Sequence, residues 1–126
     1  MKAILLSISF FLLTATACYP QTKAYVDKKT KEFYLVANIR QDHKFFGYSA
    51  PDTHSKKLIL FSIFTSDVKD NPHKMPLGAY YGTNDLKQGD TISFVSEVGG
   101  FVKLNYASPG KPSVPFYVKR TNIVFE

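Results

Sequence analysis

The chain has almost no cysteine, since Cys18 is the only one among its 126 residues. An intrachain disulfide is therefore excluded, and side-chain packing alone must stabilise the fold. Material for a core is ample, because the sequence contains 11 phenylalanines and 8 tyrosines, and each aromatic ring can bury a large apolar area. A chain of this length allows one domain.

Helical periodicity is missing as well, because no stretch repeats its apolar residues at helical spacing over three turns. Neither an internal repeat nor a low-complexity segment occurs. The 16 lysines and arginines outnumber the 10 acidic residues and give a net charge of +6, but they form no dense stripe with interleaved aromatics. We therefore do not expect nucleic acid as a partner.

Motifs of catalytic or metal-binding chemistry are also absent. The three histidines, His43, His54 and His73, lie in predicted loops and lack the short spacing of converging metal ligands. Ser66, Asp70 and His73 could be written as a Ser/His/Asp set, but such a triad is defined by geometry and not by neighbouring positions. We expect no enzyme, no metal site and no cofactor.

The N-terminus has the pattern of a secretory signal peptide. Lys2 precedes the apolar residues 3–13, and small residues follow up to Ala17. The residues before Cys18 resemble a bacterial lipoprotein signal, which implies removal of residues 1–17 and a lipid on Cys18. Such a lipid would anchor the protein to the cell envelope and remove the liability of a lone thiol in an oxidising compartment. A simple cut after Ala17, giving a soluble periplasmic or secreted protein, is the alternative.

The remaining chain divides into a polar segment and a β domain. Residues 18–31 show no sustained period and are predicted to be a tether, whereas residues 32–126 are predicted to form a single β domain. Strands are predicted where β-branched and aromatic residues alternate between turn residues. The predicted strands are residues 32–39, 57–65, 77–82, 91–96, 101–106, 114–119 and 123–125. Seven short strands at this spacing indicate an all-β barrel or sandwich.

The last 40 residues resemble a bacterial SH3-like domain. Residues 86–90 place a leucine before a Gly-Asp pair, residues 92–95 belong to a strand, Phe101 follows two glycines and starts a second strand, and residues 116–119 form a short strand. This resemblance implies a small SH3-like barrel, here with an added N-terminal strand; a small β-sandwich stays open. It also implies peptide or cell-wall binding in a groove between the loop after the first strand and the loop before the third.

Aromatic residues in or beside the predicted loops are typical of binding surfaces, although they could also close the ends of a barrel. Tyr80 and Tyr81 are adjacent, so on a strand one should enter the core and the other should face outward. Asp67 and Asn71 could orient a ligand, but both are also common turn formers. The predicted ligand-binding residues are Tyr48, Asp67, Asp70, Asn71, Tyr80, Tyr81 and Phe101.

These features together predict an exported, lipid-anchored, non-catalytic binding module. The expected partner is a peptide, a peptidoglycan fragment or an envelope protein, and the membrane is contacted through the lipid on Cys18. The alternative is a small inhibitor or immunity-type protein whose loops block the active site of another protein.

Overall fold

The computed structural model describes residues 23–36, 44–62, 64–81 and 86–126, and about half of them lie in β-strands. The all-β prediction is confirmed. A short helix, α1 (Thr65–Val68), and a 3-10 turn (Arg120–Asn122) accompany the strands. The strands are β1 (Lys23–Val26), β2 (Phe33–Val36), β3 (Lys44–Tyr48), β4 (Lys57–Ser62), β5 (Gly78–Tyr80), β6 (Thr91–Val98), β7 (Phe101–Ala107), β8 (Val114–Lys119) and β9 (Ile123–Phe125).

The strands form two mixed sheets. One has six strands in the order β5-β4-β3-β8-β7-β6, and the other has three in the order β2-β1-β9. The pairs β4/β5 and β1/β9 are parallel, and the other pairs are antiparallel. In the described segments, no helix is long and apolar enough to cross a membrane.

The hairpin from β6 to β7 follows the predicted pattern. Val102, Leu104 and Tyr106 alternate into the core of β7 as expected. Val98 pairs with Phe101, so the turn is only two residues long and β6 extends two residues beyond its predicted end. Such a tight turn needs a residue with positive φ, and Gly99 supplies it at φ +59°.

The predicted tether is too long, because strand β1 belongs to the folded domain. Residues 23–26 lie inside the segment 18–31, yet they form the middle strand of the three-stranded sheet. Ala24 and Val26 are 0% exposed. The strand has only four residues and one of its two partners, β9, lies about a hundred positions away, so its sequence pattern is too short to reveal it. The predicted signal peptide, Cys18 and residues 19–22 lie outside the described residues.

The aromatic residues of β3, predicted to lie in or beside loops, belong to a strand. Phe46 and Tyr48 lie in the interior of the six-stranded sheet, where β3 pairs with both β4 and β8. The sequence hides this strand because Gly47, normally a strand breaker, interrupts it. The glycine is required here, since a Cβ atom at that position would lie 2.4 Å from the Phe116 ring and 2.5 Å from Ile59.

Strand β4 is shorter than predicted. It ends at Ser62, and Thr65, the predicted last residue of the strand, begins helix α1 instead. The Ser62 hydroxyl directs this turn, because it donates to Asp67 at 2.7 Å and accepts the Phe64 backbone N–H at 3.1 Å. Leu60 and Phe61 are both 0% exposed, as expected of an interior strand.

The two sheets share one hydrophobic core. Phe33 from β2 packs against Phe61 from β4, with ring centroids 5.5 Å apart. At one edge Glu97 of β6 forms ion pairs with Lys28 and Arg120, and both cations lie over the Phe125 ring at 4.3 and 4.5 Å. This cluster joins β6 to the three-stranded sheet. The opposite face of the six-stranded sheet, which carries Phe46, Tyr48 and Phe101, is called the outer face below.

Candidate ligand-binding cleft

The predicted ligand-binding residues do not form a single site. Asp70, Asn71 and Tyr80 line a depression beside β5. Tyr48 and Phe101 lie on the outer face, where their rings meet edge to face with centroids 6.4 Å apart. The structure therefore divides the predicted set between two surfaces.

The depression beside β5 continues into a larger cleft, because Leu77, Tyr80 and Lys87 line both. This cleft has a volume of about 360 Å³, within the size range of small-ligand sites. Its walls come from the end of β5, the turn before β6 and the loop between β7 and β8. We call it the tyrosine cleft; its polar residues are Tyr80, Lys87, Gln88, Asp90, Tyr106, Ser108 and Lys111.

A hydrogen-bonded chain forms the floor of the tyrosine cleft. Tyr106 donates its hydroxyl proton to Oδ2 of Asp90 at 2.7 Å. The Tyr80 hydroxyl lies 2.8 Å from the Tyr106 oxygen and 2.8 Å from the Leu77 carbonyl oxygen. When Asp90 is ionised, the two tyrosine hydroxyls supply two protons for three short oxygen–oxygen contacts. The proton of Tyr106 goes to Asp90, so the Leu77 carbonyl oxygen and the Tyr106 oxygen share the proton of Tyr80. The chain therefore has one acceptor more than its own donors can satisfy.

The groups around the hydrogen-bonded chain determine the charge states of Tyr80, Tyr106 and Asp90. The hydrogen bond from Tyr106 is the main cause that lowers the pKa of Asp90, and Ser108, Lys87 and Lys111 act in the same direction. Burial raises the pKa of Tyr106, and its contacts with Tyr80 and Asp90 raise it further. Burial also raises the pKa of Tyr80. At neutral pH the floor consequently carries one carboxylate and two neutral phenols.

Asn71 and Asp67 serve the loop in which they lie. The Asn71 side chain donates to the Met75 carbonyl and accepts the Met75 backbone N–H, both at 2.9 Å. Asp67 accepts the hydroxyl of Ser62. The interpretation of Asn71 as a turn former that satisfies backbone groups is confirmed, and its contacts shape the wall beside β5. Asp70 is exposed on the same loop, with a positive φ of 61°.

Tyr80 and Tyr81 point to opposite sides, as predicted. Tyr80 is 7% exposed and belongs to the floor of the tyrosine cleft, whereas Tyr81 is 46% exposed. The ligand contact expected for the outward tyrosine therefore falls on Tyr81, and it remains a prediction.

Sequence reasoning missed six polar residues of the cleft: Lys87, Gln88, Asp90, Tyr106, Ser108 and Lys111. The Gly-Asp pair that contains Asp90 entered the sequence analysis only as part of the SH3-like resemblance, and Tyr106 only as the end of the predicted strand 101–106. A usable signal existed for Tyr106, because a tyrosine at an inward position near a strand end needs a partner for its hydroxyl. The identity of that partner depends on the fold.

The histidines lie apart from the cleft. His54 is exposed and contacts Asp52 through its ring nitrogen at 3.2 Å, and His73 lies exposed on another loop. His43 is outside the described residues. Within the described segments, no three His, Cys, Asp or Glu side chains come together as a metal-binding group.

Comparison with known proteins gives no functional assignment, so a functional conclusion has to rest on the geometry of the cleft. No protein-family model, no curated protein and no solved structure matches this chain.

Proposed function

We propose that this protein is a non-catalytic binding module whose tyrosine cleft holds a peptide, free or as part of a peptidoglycan fragment. The observation that carries this proposal is the hydrogen-bonded floor of Tyr80, Tyr106 and Asp90 between two exposed lysines, Lys87 and Lys111. Pre-formed polar groups in a cleft that also has apolar lining residues, here Leu77, Pro109 and Val114, are typical of sites that orient a ligand.

The two parts of the cleft suit the two polar ends of a peptide. The floor has one acceptor in excess, so an amide N–H from the ligand would complete it. Lys87 and Lys111 offer ammonium groups that a peptide carboxylate accepts in charge-assisted hydrogen bonds. Both lysines line the same cleft as the floor residues, so one short ligand can reach both.

The titration behaviour supports binding rather than acid–base chemistry. A general acid or base works best with a pKa near the operating pH. Here the pKa of Asp90 is lowered and the pKa values of Tyr80 and Tyr106 are raised, so each group is moved away from neutrality. All three groups are suited to hold a ligand and are poor proton carriers at neutral pH.

We further propose export, a lipid anchor on Cys18 and an SH3-like architecture for the C-terminal part. The signal-peptide pattern and the lone cysteine support the first two. The order of elements supports the third, because β6, the Gly99-Gly100 turn, β7 and β8 follow one another as in the resemblance described above.

Binding of soluble stem peptides released from purified peptidoglycan tests the proposal. Calorimetry of the domain should show binding that Lys87→Gln/Lys111→Gln weakens about tenfold, as the loss of two charge-assisted contacts implies. The matched control, Lys44→Gln/Lys119→Gln, removes the same charge from the outer face and should leave the affinity unchanged.

A pull-down from envelope extract distinguishes the binding module from the alternative function, that of a small inhibitor or immunity-type protein. If no stem peptide binds and one stoichiometric envelope protein copurifies with the domain, the inhibitor or immunity-type function replaces the binding module. Equal affinity of the wild type and both double variants would show that the cleft is not the peptide site.

A further inference from the structure

The outer face carries a row of three aromatic rings that the tyrosine cleft does not use. Phe46 and Tyr48 lie with ring centroids 6.5 Å apart, and Tyr48 and Phe101 follow at 6.4 Å. Phe46 and Phe101 are half-buried and Tyr48 is buried, so the row is recessed. Two open depressions flank it, and Lys119 and Thr121 line both.

Lysines surround this row. Lys44 and Lys119 line the larger depression together with Phe46 and Tyr48, and Lys57 lies over the Phe46 ring at 4.3 Å. We call the surface formed by Lys44, Phe46, Tyr48, Phe101 and Lys119 the aromatic–lysine groove. It joins flat apolar area to a concentration of positive charge.

The positive charge of the groove is not neutralised within the described segments. Lys44 and Lys119 make no ion pair with any residue there. Glu97, which lies near the same end of the sheet, is engaged by Lys28 and Arg120. Asp52 lines the second depression and its carboxylate offsets part of the positive charge there, whereas no described Asp or Glu lines the depression beside Lys44. An anionic ligand therefore fits this surface by charge.

The shape and the remaining polar groups narrow the class of ligand. Recessed rings suit a narrow chain that lies in the groove, whereas a flat lipid surface requires protruding side chains. The faces of sugar rings carry C–H groups that pack on the electron-rich faces of aromatic rings. Thr121 and Asn122 line the depression beside Lys44, and their hydroxyl and amide groups can both donate to and accept from sugar hydroxyls.

We propose that the aromatic–lysine groove binds an anionic linear glycan, a chain of sugar rings that bear carboxylate or other acidic groups. The sugar rings pack on the exposed parts of Phe46 and Phe101, on either side of the buried Tyr48, and the acidic groups pair with Lys44 and Lys119. This site is separate from the tyrosine cleft and adds a second ligand class to the protein. It does not depend on the peptide-binding proposal.

Three hexamers distinguish the ligand classes when they are titrated into the purified domain: hexagalacturonate, the neutral maltohexaose and the acidic peptide hexaglutamate. Hexagalacturonate should bind with an affinity that falls as salt concentration rises, and the other two should bind at least about tenfold more weakly. Binding of hexaglutamate as tight as that of hexagalacturonate would overturn the glycan in favour of an acidic peptide. Absence of hexagalacturonate binding would overturn the proposal entirely.

Variants locate the site. Lys44→Gln/Lys119→Gln should weaken hexagalacturonate binding about tenfold through the loss of two charge-assisted contacts. Phe101→Leu, which keeps an apolar side chain but removes the ring, should weaken it independently in protein whose melting curve shows it to be folded. Lys87→Gln/Lys111→Gln, with the same change of net charge in the tyrosine cleft, should have no effect. Equal losses from the two lysine double variants would mean that net charge alone drives binding, and would overturn the assigned groove.

Discussion

At the scale of single residues, the hydroxyl of Tyr106 connects the core to the tyrosine cleft. The ring of Tyr106, on β7, is buried in the hydrophobic core, and its hydroxyl oxygen joins Tyr80 to Asp90 at the edge of the tyrosine cleft. A buried hydroxyl contributes to stability only while its partners remain in place. The same atom therefore contributes to folding and to the arrangement of the proposed peptide site.

Replacement of Tyr106 by phenylalanine should lower the free energy of unfolding by about 1–3 kcal/mol, because a hydrogen bond to a charged group is lost while the ring still fills its space. Urea unfolding measures this change. Tyr117→Phe, on the outer face, is the matched control and should be close to neutral. An unchanged stability of Tyr106→Phe would contradict the hydrogen-bonded chain.

The pH dependence of stability should report Asp90. In the folded protein the pKa of Asp90 is lowered from its ordinary value of 3.8. The ionised carboxylate therefore stabilises the folded state at pH values above 3.8. This contribution is lost as the pH falls below that value and through the lowered folded pKa. Asp90→Asn should therefore destabilise the protein at pH 7 and less so at acid pH. Urea unfolding at several pH values tests this, and an equal effect at all of them would contradict it.

At the scale of elements, strand β3 depends on a residue that the sequence presents as a breaker. Gly47 lets the Phe116 ring and Ile59 approach the backbone of β3 more closely than any side chain would permit. The strand in turn places Phe46 and Tyr48 on the outer face. Packing in the core thus determines the position of the proposed glycan site on the other side of the sheet.

Gly47→Ala should cost about 1–3 kcal/mol, because the added methyl group overpacks the core against Phe116 and Ile59. Gly100→Ala is a matched control, since a Cβ atom there meets nothing within 4 Å. Thermal unfolding of both variants provides the comparison. Similar melting temperatures for the two variants would show that the close approach at Gly47 is not required.

The elements also show what sequence patterns can and cannot predict. The strands β6, β7 and β8 are recognisable because each has six to eight residues rich in β-branched and aromatic side chains, and in β7 buried and partly exposed residues alternate throughout. Strands β1 and β3 have four and five residues, too few to establish a period. The tyrosine cleft escaped prediction for another reason, since Tyr80, Asp90 and Lys111 come from three separate parts of the chain and only the fold brings them together.

At the scale of the whole molecule, the proposed anchor would hold a domain with two binding surfaces close to the envelope. Only residues 19–22 separate Cys18 from the start of β1. The tether is therefore far shorter than the sequence pattern indicated, because part of the segment 18–31 belongs to the fold. A lipid on Cys18 would leave the domain little freedom to move away from the membrane surface.

Detergent phase separation of cell extracts tests the anchor directly. The wild type should enter the detergent-rich phase, and Cys18→Ser should enter the aqueous phase, because the thiol that carries the lipid is gone. Tyr19→Ser, a change beside the same cleavage site, is the control and should behave as the wild type. Recovery of the wild type in the aqueous phase would contradict lipidation.

The parallel pairing of β1 with β9 has a mechanical consequence. Ala24 pairs with Ile123 and Val26 with Phe125, so the two strands run side by side in the same direction. Tension applied between the start of β1 and the end of β9 therefore pulls the strands lengthwise past each other. Their hydrogen bonds, together with the bond from the Glu126 N–H to the Val26 carbonyl, then share the load and must break together instead of one after another. A domain held at its N-terminus and pulled from its C-terminus would resist extension through this pair of strands.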